Sequence, residues 1–445
     1  MKALELAARV LTQASVSRNS SRKCLYQLWE QNDISDRGLF NAIYHYSMET
    51  VRRQNYLDEF VNRMFNDTEP DLFVTNLFRV ATYMIRILEE PLESVATQIE
   101  KILNGKREEE EVRYFVTRLF RLGAIDLKDI YAEKTKIQQL ALKYVHPVWF
   151  VKHFTSLLGE KECLQLMEAN NVLKNIWVRV NTLKTTTEKA IRELEAANII
   201  LEEDPEFPDL LRIVSWKDTP VILTDPYQEG HVFTQDKASC GAVYALDPAP
   251  GETILDMCSA PGMKTSLIAQ LMENRGRIIA VDFSKKRLLE LKHIVRRAGV
   301  SIVEPLIVDV RDLKPTQVDR LLLDPPCSST GIFHMYPDNK WRIDPEVVLQ
   351  RARFQFLLFE KALEFLESGG IGIYSVCSTM PEEGEELIDS FLDRIQLYPI
   401  HLNRKGLSKG IHENVLRSGP KTVRFWPHRD DCAGFFVAKF GLLTP

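Results

Sequence analysis

The chain has 445 residues, too many for one ordinary hydrophobic core, so two or three domains are expected. Its 45% hydrophobic and 27% charged residues are those of a soluble globular protein, and no apolar run reaches transmembrane length. A net charge of −5 does not advertise nucleic-acid binding, although local basic patches would still allow it.

Met1 to Arg9 carries charges where a secretory signal needs an unbroken apolar stretch. A cytoplasmic protein with no membrane partner is expected. The cysteines, Cys24, Cys163, Cys240, Cys258, Cys327, Cys377 and Cys432, are odd in number and include no CxxC pair. Neither a disulfide framework nor a metal site is indicated.

Residues 1–135 read as all helix. Leu4, Ala7, Ala8 and Leu11 repeat at helical spacing, as do Phe40, Ile43, Tyr44 and Ser47. Leu77 to Leu88 is a mostly apolar helix that Glu89-Glu90-Pro91 ends, because proline disfavours helical geometry in the residue before it. Leu92 to Leu103 follows, and Lys106 to Glu111 is a solvated helix start before Val112 to Leu122. This region has no catalytic spacing; it is a helical bundle or a binding module.

Residues 140–235 mix helices and strands. His146 opens a helix and fits a structural histidine better than a ligand. Ile176 to Asn181 reads as a strand, Thr185 to Ala197 as a helix, and Gly230 to Asp236 as a strand running into a capped helix. Arg179 and Asn181 are polar on an apolar strand, which strand-edge packing or RNA contact would explain. Over 236–445 strands and helices alternate, the pattern of a doubly wound, mostly parallel α/β sheet. Strands are expected at 253–257, 277–281, 303–308, 318–324, 370–376 and 433–440. Helices are expected at 264–273, 285–298, 345–367 and 382–395.

Three features carry chemistry. The turn Asp256-Met257-Cys258-Ser259-Ala260-Pro261-Gly262-Met263-Lys264-Thr265 links the first of these strands to its helix. Small residues there let a ligand approach the backbone, and the helix start offers N–H donors. It matches neither the GxGxxG nor the GxxxxGK[ST] pattern, so dinucleotide and Walker-type sites are disfavoured. Next, Asp282, Asp309 and Asp324 each close a strand, and strand-end carboxylates converge at one sheet edge. An acid after the second strand suits ribose hydroxyls, so a nucleoside-containing cofactor explains the repetition better than separate capping residues. Finally, Cys327 and Cys377 also follow strands. A thiolate that adds to C6 of a pyrimidine makes C5 nucleophilic enough to take a methyl group, after which C5 must lose a proton. Cys377, Cys327 and Asp324 supply a nucleophile, a group for the elimination and an acid near the base edge. An N6-adenine methylase would instead favour an aromatic residue after Pro325-Pro326.

The stretch from His146 to Phe440 resembles the RNA (cytosine-5) methyltransferases of the Sun/Fmu/RsmB type. The matching pieces are Arg179-Val180-Asn181-Thr182-Leu183, Gln235 to Ser239, Asp256 to Thr265, Val281-Asp282, Asp324-Pro325-Pro326-Cys327-Ser328, Val376-Cys377-Ser378 and Gly434 to Ala438. The resemblance implies a Rossmann-like class I methyltransferase domain, S-adenosyl-L-methionine as methyl donor and cytosine in structured RNA as acceptor. It implies Cys377 as the nucleophile and Cys327 as the group that assists release, with Asp324 and Lys264 facing the cytosine or the donor. Cys258, Ser259, Ala260, Pro261, Gly262, Met263, Lys264, Asp282, Arg287, Asp309 and Asp324 would line the cofactor pocket. Ser259, Met263 and Val376 depart from the family's usual alanine, glycine and threonine.

The first helices resemble a NusB-like RNA-binding domain through Asp36-Arg37 and the helix after it, Leu77 to Leu88 with Glu90-Pro91, and Phe115 to Leu119. That favours small-subunit ribosomal RNA as the substrate, with transfer RNA second. A monomer is expected. Basic residues for RNA are offered by Lys285, Lys286, Arg287, Lys292, Arg296 and Arg297, where an ordinary solvated face is the better reading. Lys405, Lys409, Arg417, Lys421, Arg424 and Arg429 offer more. Two other functions compete: a non-catalytic ribosome-assembly factor, and a DNA cytosine methylase with Cys327 as nucleophile.

Overall fold

The computed structural model of the chain describes residues 1–31, 36–217, 219–402, 404–407 and 415–443. The chain divides into two units, Met1–Asn171 with Phe333–Arg342, and Val172–Ile332 with Ile343–Pro445. Among the described residues no helix is long and apolar enough to cross a membrane.

The first unit is helical. Helix Lys2–Ser17 buries Leu4, Ala7, Ala8, Val10, Leu11 and Ala14, a stripe too regular for a strand. Helix Arg37–Arg52 starts at Asp36, whose carboxylate accepts from the Leu39 N–H, and helix Leu72–Arg86 starts at Asp71 in the same way. Their apolar faces meet in one core with helices Leu92–Leu103 and Glu109–Phe120. Glu109, Glu110 and Glu111 occupy the first turn of the last helix, where carboxylates complement its dipole. Sequence pattern did not reveal that Phe333–Arg342 belongs to this unit. The Trp341 indole donates to Val51 O at 2.5 Å, and Ser21 donates to Asp338 through its N–H and hydroxyl. His146 is fully buried, hydrogen-bonded to Tyr144 O and Asn170, and burial lowers its pKa well below the usual value. It is a neutral structural histidine, as expected.

The second unit holds two sheets. Strands β1 (Trp177–Val180), β2 (Ile199–Glu203), β3 (Leu210–Trp216) and β4 (Val232–Thr234) form an antiparallel sheet in the order β2-β3-β1-β4. Arg179 and Asn181 are buried, which decides for packing. Arg179 donates to Gln235, Gln270 and Ser266, and the Asn181 amide donates to Gly230 O and Ala298 O.

The remaining strands are β5 (Thr253–Met257), β6 (Arg277–Asp282), β7 (Val303–Ile307), β8 (Val318–Leu323), β9 (Leu366–Val376), β10 (Ile395–Tyr398), β11 (Val423–Phe425) and β12 (Phe435–Leu442). Among the described residues they form an eight-stranded sheet ordered β10-β12-β9-β8-β5-β6-β7, with β11 on β12. β7 to β9 are parallel neighbours through β6, β5 and β8, and β12 runs antiparallel to β9. The central strands are buried on both faces, hence their unbroken apolar runs. Leu321 and Leu323 enter one core and Leu322 the other. Strand order reverses between β5 and β8, the place where such sheets bind ligands.

Two expectations need correction. The segment 382–395 is not one helix: a short turn at Pro381–Glu383 leads into helix Glu385–Asp389, and β10 begins at Ile395. β9 starts at Leu366, ahead of the expected 370.

Candidate active site

β5 ends on Asp256-Met257, and the chain turns through Cys258–Gly262 into helix Met263–Leu271. Cys258 (φ 63°) and Gly262 (φ 103°) lie in the left-handed region. A Cβ on Gly262 would also stand 2.8 Å from the Leu291 side chain, so glycine answers both demands. The Ser259 N–H donates to Val281 O at 2.9 Å, and the Ala260 N–H to Asp282 Oδ2 at 3.3 Å. Arg287 donates to Ala260 O and stands 3.4 Å from Asp282 Oδ2. Asp282 thus fixes the turn as well as closing β6. Met263 is the first helical residue and half-buried.

Cys258, Asp282, Arg287 and Asp309 line one cleft with Phe283, Val308, Phe354 and Leu358. Carboxylates at the ends of two neighbouring strands face apolar walls there, acceptors that fit the ribose hydroxyls of S-adenosyl-L-methionine beside an apolar slot that fits its adenine. Phe283, 66% exposed beside Asp282, was not singled out from sequence. Burial pushes the Cys258 thiol up, which disfavours a thiolate there.

Burial also raises Asp256 to about 7, although the Thr265 hydroxyl donates to it at 2.6 Å. Its unfolded value is about 3.9, so between these values the folded chain holds a proton that the unfolded chain has lost. This contribution to stability is complete below about pH 4 and is lost as pH rises through about 7, at up to about 1.4 kcal/mol per unit. Asp256→Asn is therefore expected to flatten the dependence of thermal stability on pH between about 5 and about 7.5. Parallel melting curves for the two proteins would refute this.

Lys264 and Asp324 pair with each other at 2.6 Å, and the Ser375 hydroxyl donates to the other Asp324 oxygen at 3.2 Å. Burial pulls the Lys264 ammonium down, but Asp324 outweighs it and the pKa stands above the usual lysine value. A positive charge is thus fixed at the ends of β5 and β8. Cys327 Sγ and Cys377 Sγ are 3.3 Å apart at the ends of adjacent strands β8 and β9, and Ser329 Oγ lies 3.7 Å from Cys377 Sγ. The hydrogen bond from Cys327 holds Cys377 below the ordinary thiol range, while the same bond pushes Cys327 well above it. The pair is therefore polarised toward a Cys377 thiolate.

The loops carrying these thiols interlock. The Gly331 N–H donates to Cys377 O at 3.1 Å, and the Gly434 N–H to Gly331 O at 2.8 Å. A Cβ on Gly331 would stand 1.9 Å from Gly434 O, which no side chain tolerates. Arg424 is buried against Glu385 and donates to Ser378 O at 2.9 Å, so it braces the Cys377 loop and is withdrawn as an RNA contact. Lys405, Arg417, Lys421 and Arg429 are exposed; Lys409 lies outside the described residues. Sequence reading missed Glu383 and Gln355 and gave no role to Ser328 and Ser378; together the four link the two loops. The only signal was that each serine follows one of the cysteines.

Residues 243–441 match the family model of the 16S rRNA methyltransferase RsmB/F, and residues 146–219 match the ferredoxin-like domain of RsmF/B-like methyltransferases. The ribosomal RNA small subunit methyltransferase B of Serratia proteamaculans is 33% identical over 303 residues, 67% of this chain and 66% of that protein. The "Probable ribosomal RNA small subunit methyltransferase B" of Bacillus subtilis is 27% identical over 444 residues, 97% of each. The crystal structure of PH0851 superposes with a TM-score of 0.84 at 26% identity, covering 99% of this chain and 98% of that one. A methyltransferase homologue from Pyrococcus horikoshii gives a TM-score of 0.64 at 29% identity, over 70% of this chain and 100% of that one. S-adenosyl-L-methionine is the methyl donor of this enzyme class, and the cleft fits it. Domain models, sequence along nearly the full Bacillus subtilis protein and fold have one common reading: this chain belongs to the RsmB/F family of 16S rRNA methyltransferases.

Proposed function

We propose that the protein methylates C5 of a cytosine in structured RNA, with small-subunit ribosomal RNA as substrate. The observation that carries this is the thiol pair, 3.3 Å apart, beside the Lys264–Asp324 ion pair. Nitrogen methylation needs no thiol, whereas C5 of cytosine is unreactive until a nucleophile adds at C6.

In this reading the Cys377 thiolate adds to C6. Negative charge then develops over the ring, where the Lys264 ammonium faces it and Asp324 holds that ammonium in place. S-adenosyl-L-methionine, when bound, supplies the electrophilic methyl group. Cys258 to Lys264, Asp282, Arg287, Asp309 and Asp324 would hold it. C5 now carries both methyl and proton. Once Cys377 is bonded to carbon its negative charge is gone, and with it the main effect that keeps Cys327 protonated. Cys327 gives its own proton to solvent, its thiolate takes the C5 proton, the electrons of that C–H bond restore the C5–C6 double bond, the Cys377–C6 bond breaks with its pair returning to sulfur, and the 5-methylcytosine leaves. The target must first leave its stack, at a cost of a few kcal/mol, which favours unpaired or loop cytosines. The N-terminal helices, which resemble a NusB-like domain, and the exposed Lys405, Arg417, Lys421 and Arg429 would grip the surrounding RNA.

Bisulfite sequencing of total RNA from wild-type and deletion cells tests the assignment. The expected result is loss of one 5-methylcytosine in small-subunit ribosomal RNA. Loss in transfer RNA alone would move the substrate, and an unchanged 5-methylcytosine map would refute the chemistry.

A further inference from the structure

Glu383 takes no part in the mechanism above, yet its carboxylate lies between the two thiol loops. It is fully buried. Its Oε1 accepts from the Ser328 N–H at 2.8 Å and from the Gln355 amide at 2.8 Å. Its Oε2 accepts from the hydroxyls of Ser328 and Ser378, the latter at 2.5 Å. Ser328 follows Cys327 in the chain and Ser378 follows Cys377. Gln355 also donates to Pro326 O at 3.0 Å, so the backbone is gripped on both sides of Cys327. On the other loop, Ser378 Oγ accepts from the Met380 N–H at 3.1 Å and lies 3.1 Å from the Thr330 hydroxyl.

We propose that Glu383 is a positioning residue that sets the separation of the two catalytic thiols by tying Ser328 to Ser378. The inference rests on the thiol-pair mechanism, but the geometry alone carries the structural part. An ionised carboxylate is acceptor-only, and here four donors from three residues converge on it. Only a carboxylate side chain offers two such acceptor atoms and no donor. A buried network of this kind is rigid when complete and loses its geometry when one member changes. The hydrogen bond from Cys327 that favours the Cys377 thiolate acts over one interatomic distance, so slackening either loop weakens it.

Glu383→Gln keeps the volume and replaces one acceptor by a donor. Expected are a fall in kcat of about 10- to 100-fold with little change in KM for RNA, the scale of a small misplacement of reacting groups. The pH midpoint for alkylation of Cys377 by iodoacetamide, read by peptide mass spectrometry, is expected to rise by about one unit. Affinity for S-adenosyl-L-methionine, measured by calorimetry, should stay unchanged, since Glu383 is not in the cleft lining. Ser328→Ala and Ser378→Ala each remove one arm of the tie. Their effects on the midpoint should combine to less than their sum, because either break releases the same constraint; additive effects would refute the tie even if the glutamine variant did not fold. An unchanged midpoint and unchanged kcat in folded Glu383→Gln would overturn the proposal. A raised midpoint with unchanged kcat would uphold the positioning and overturn the thiol-pair mechanism instead.

Discussion

Cys377→Ala is expected to lose methyl transfer to RNA by at least about 10^4-fold, the scale of removing the nucleophile from a covalent mechanism. It is expected to keep its affinity for S-adenosyl-L-methionine, because the cleft is lined by other residues. Without a bond at C6, C5 of cytosine does not attack a methyl group, so Lys264 has no developing charge to stabilise. Cys327 does not replace the missing thiol. In the proposed mechanism it serves C5 as the base of the elimination, from the end of β8, whereas Cys377 reaches C6 from the end of β9. The measurement is incorporation of labelled methyl into RNA, with calorimetry of the donor as the control for folding. A second measurement removes the remaining ambiguity. RNA carrying 5-fluorocytosine has no C5 proton to lose, so the adduct persists and the attached peptide can be mapped. The expected peptide contains Cys377. Attachment at Cys327 would reverse the two roles and make the DNA-type order of events the right one.

Much of this site was legible in the sequence, for a physical reason. A parallel strand buried on both faces must be apolar throughout, so the first polar residue after it marks the sheet edge. That logic places Asp282, Asp324 and Cys377 at strand ends without further information, whereas Asp309 follows β7, an edge strand that is largely exposed. What stayed hidden were residues whose role depends on partners distant in sequence. Glu383 sits within Glu382-Glu383-Gly384-Glu385-Glu386, which by composition is an exposed acidic helix start. Folded, Glu383 and Glu385 are fully buried, one facing Ser328 and the other Arg424. Arg424 was hidden for the same reason, since a basic residue in a loop reads as an RNA contact until its carboxylate is found. β2, with Glu202 and Glu203, and the three-residue β11 lack the length or apolarity that marks a strand, and pairing with β3 and β12 forms them. The segment Phe333–Arg342 gave no signal because its few residues carry no period.

Cys327→Ala is expected to behave in the opposite sense from Cys377→Ala: it should retain the first chemical step and lose the last. The adduct at Cys377 forms and C5 is methylated, but no thiolate takes the C5 proton. The C–S bond then cannot break by elimination, and methylated RNA stays attached to the protein. The expected observation is a covalent protein–RNA band on a denaturing gel that carries the labelled methyl group, with turnover stopping at about one methyl per enzyme. Adduct formation itself should also slow. Removing Cys327 removes the hydrogen bond that holds Cys377 below the ordinary thiol range, so less thiolate is present at neutral pH. Raising the pH should restore that loss without restoring release. This split separates the two functions of one side chain: the rate of adduct formation titrates with Cys377, whereas the persistence of the adduct does not depend on pH in the same range. A Cys327→Ala protein that turns over at the wild-type rate would show that another base removes the proton. It would leave the 3.3 Å thiol contact with only its first role, polarising Cys377.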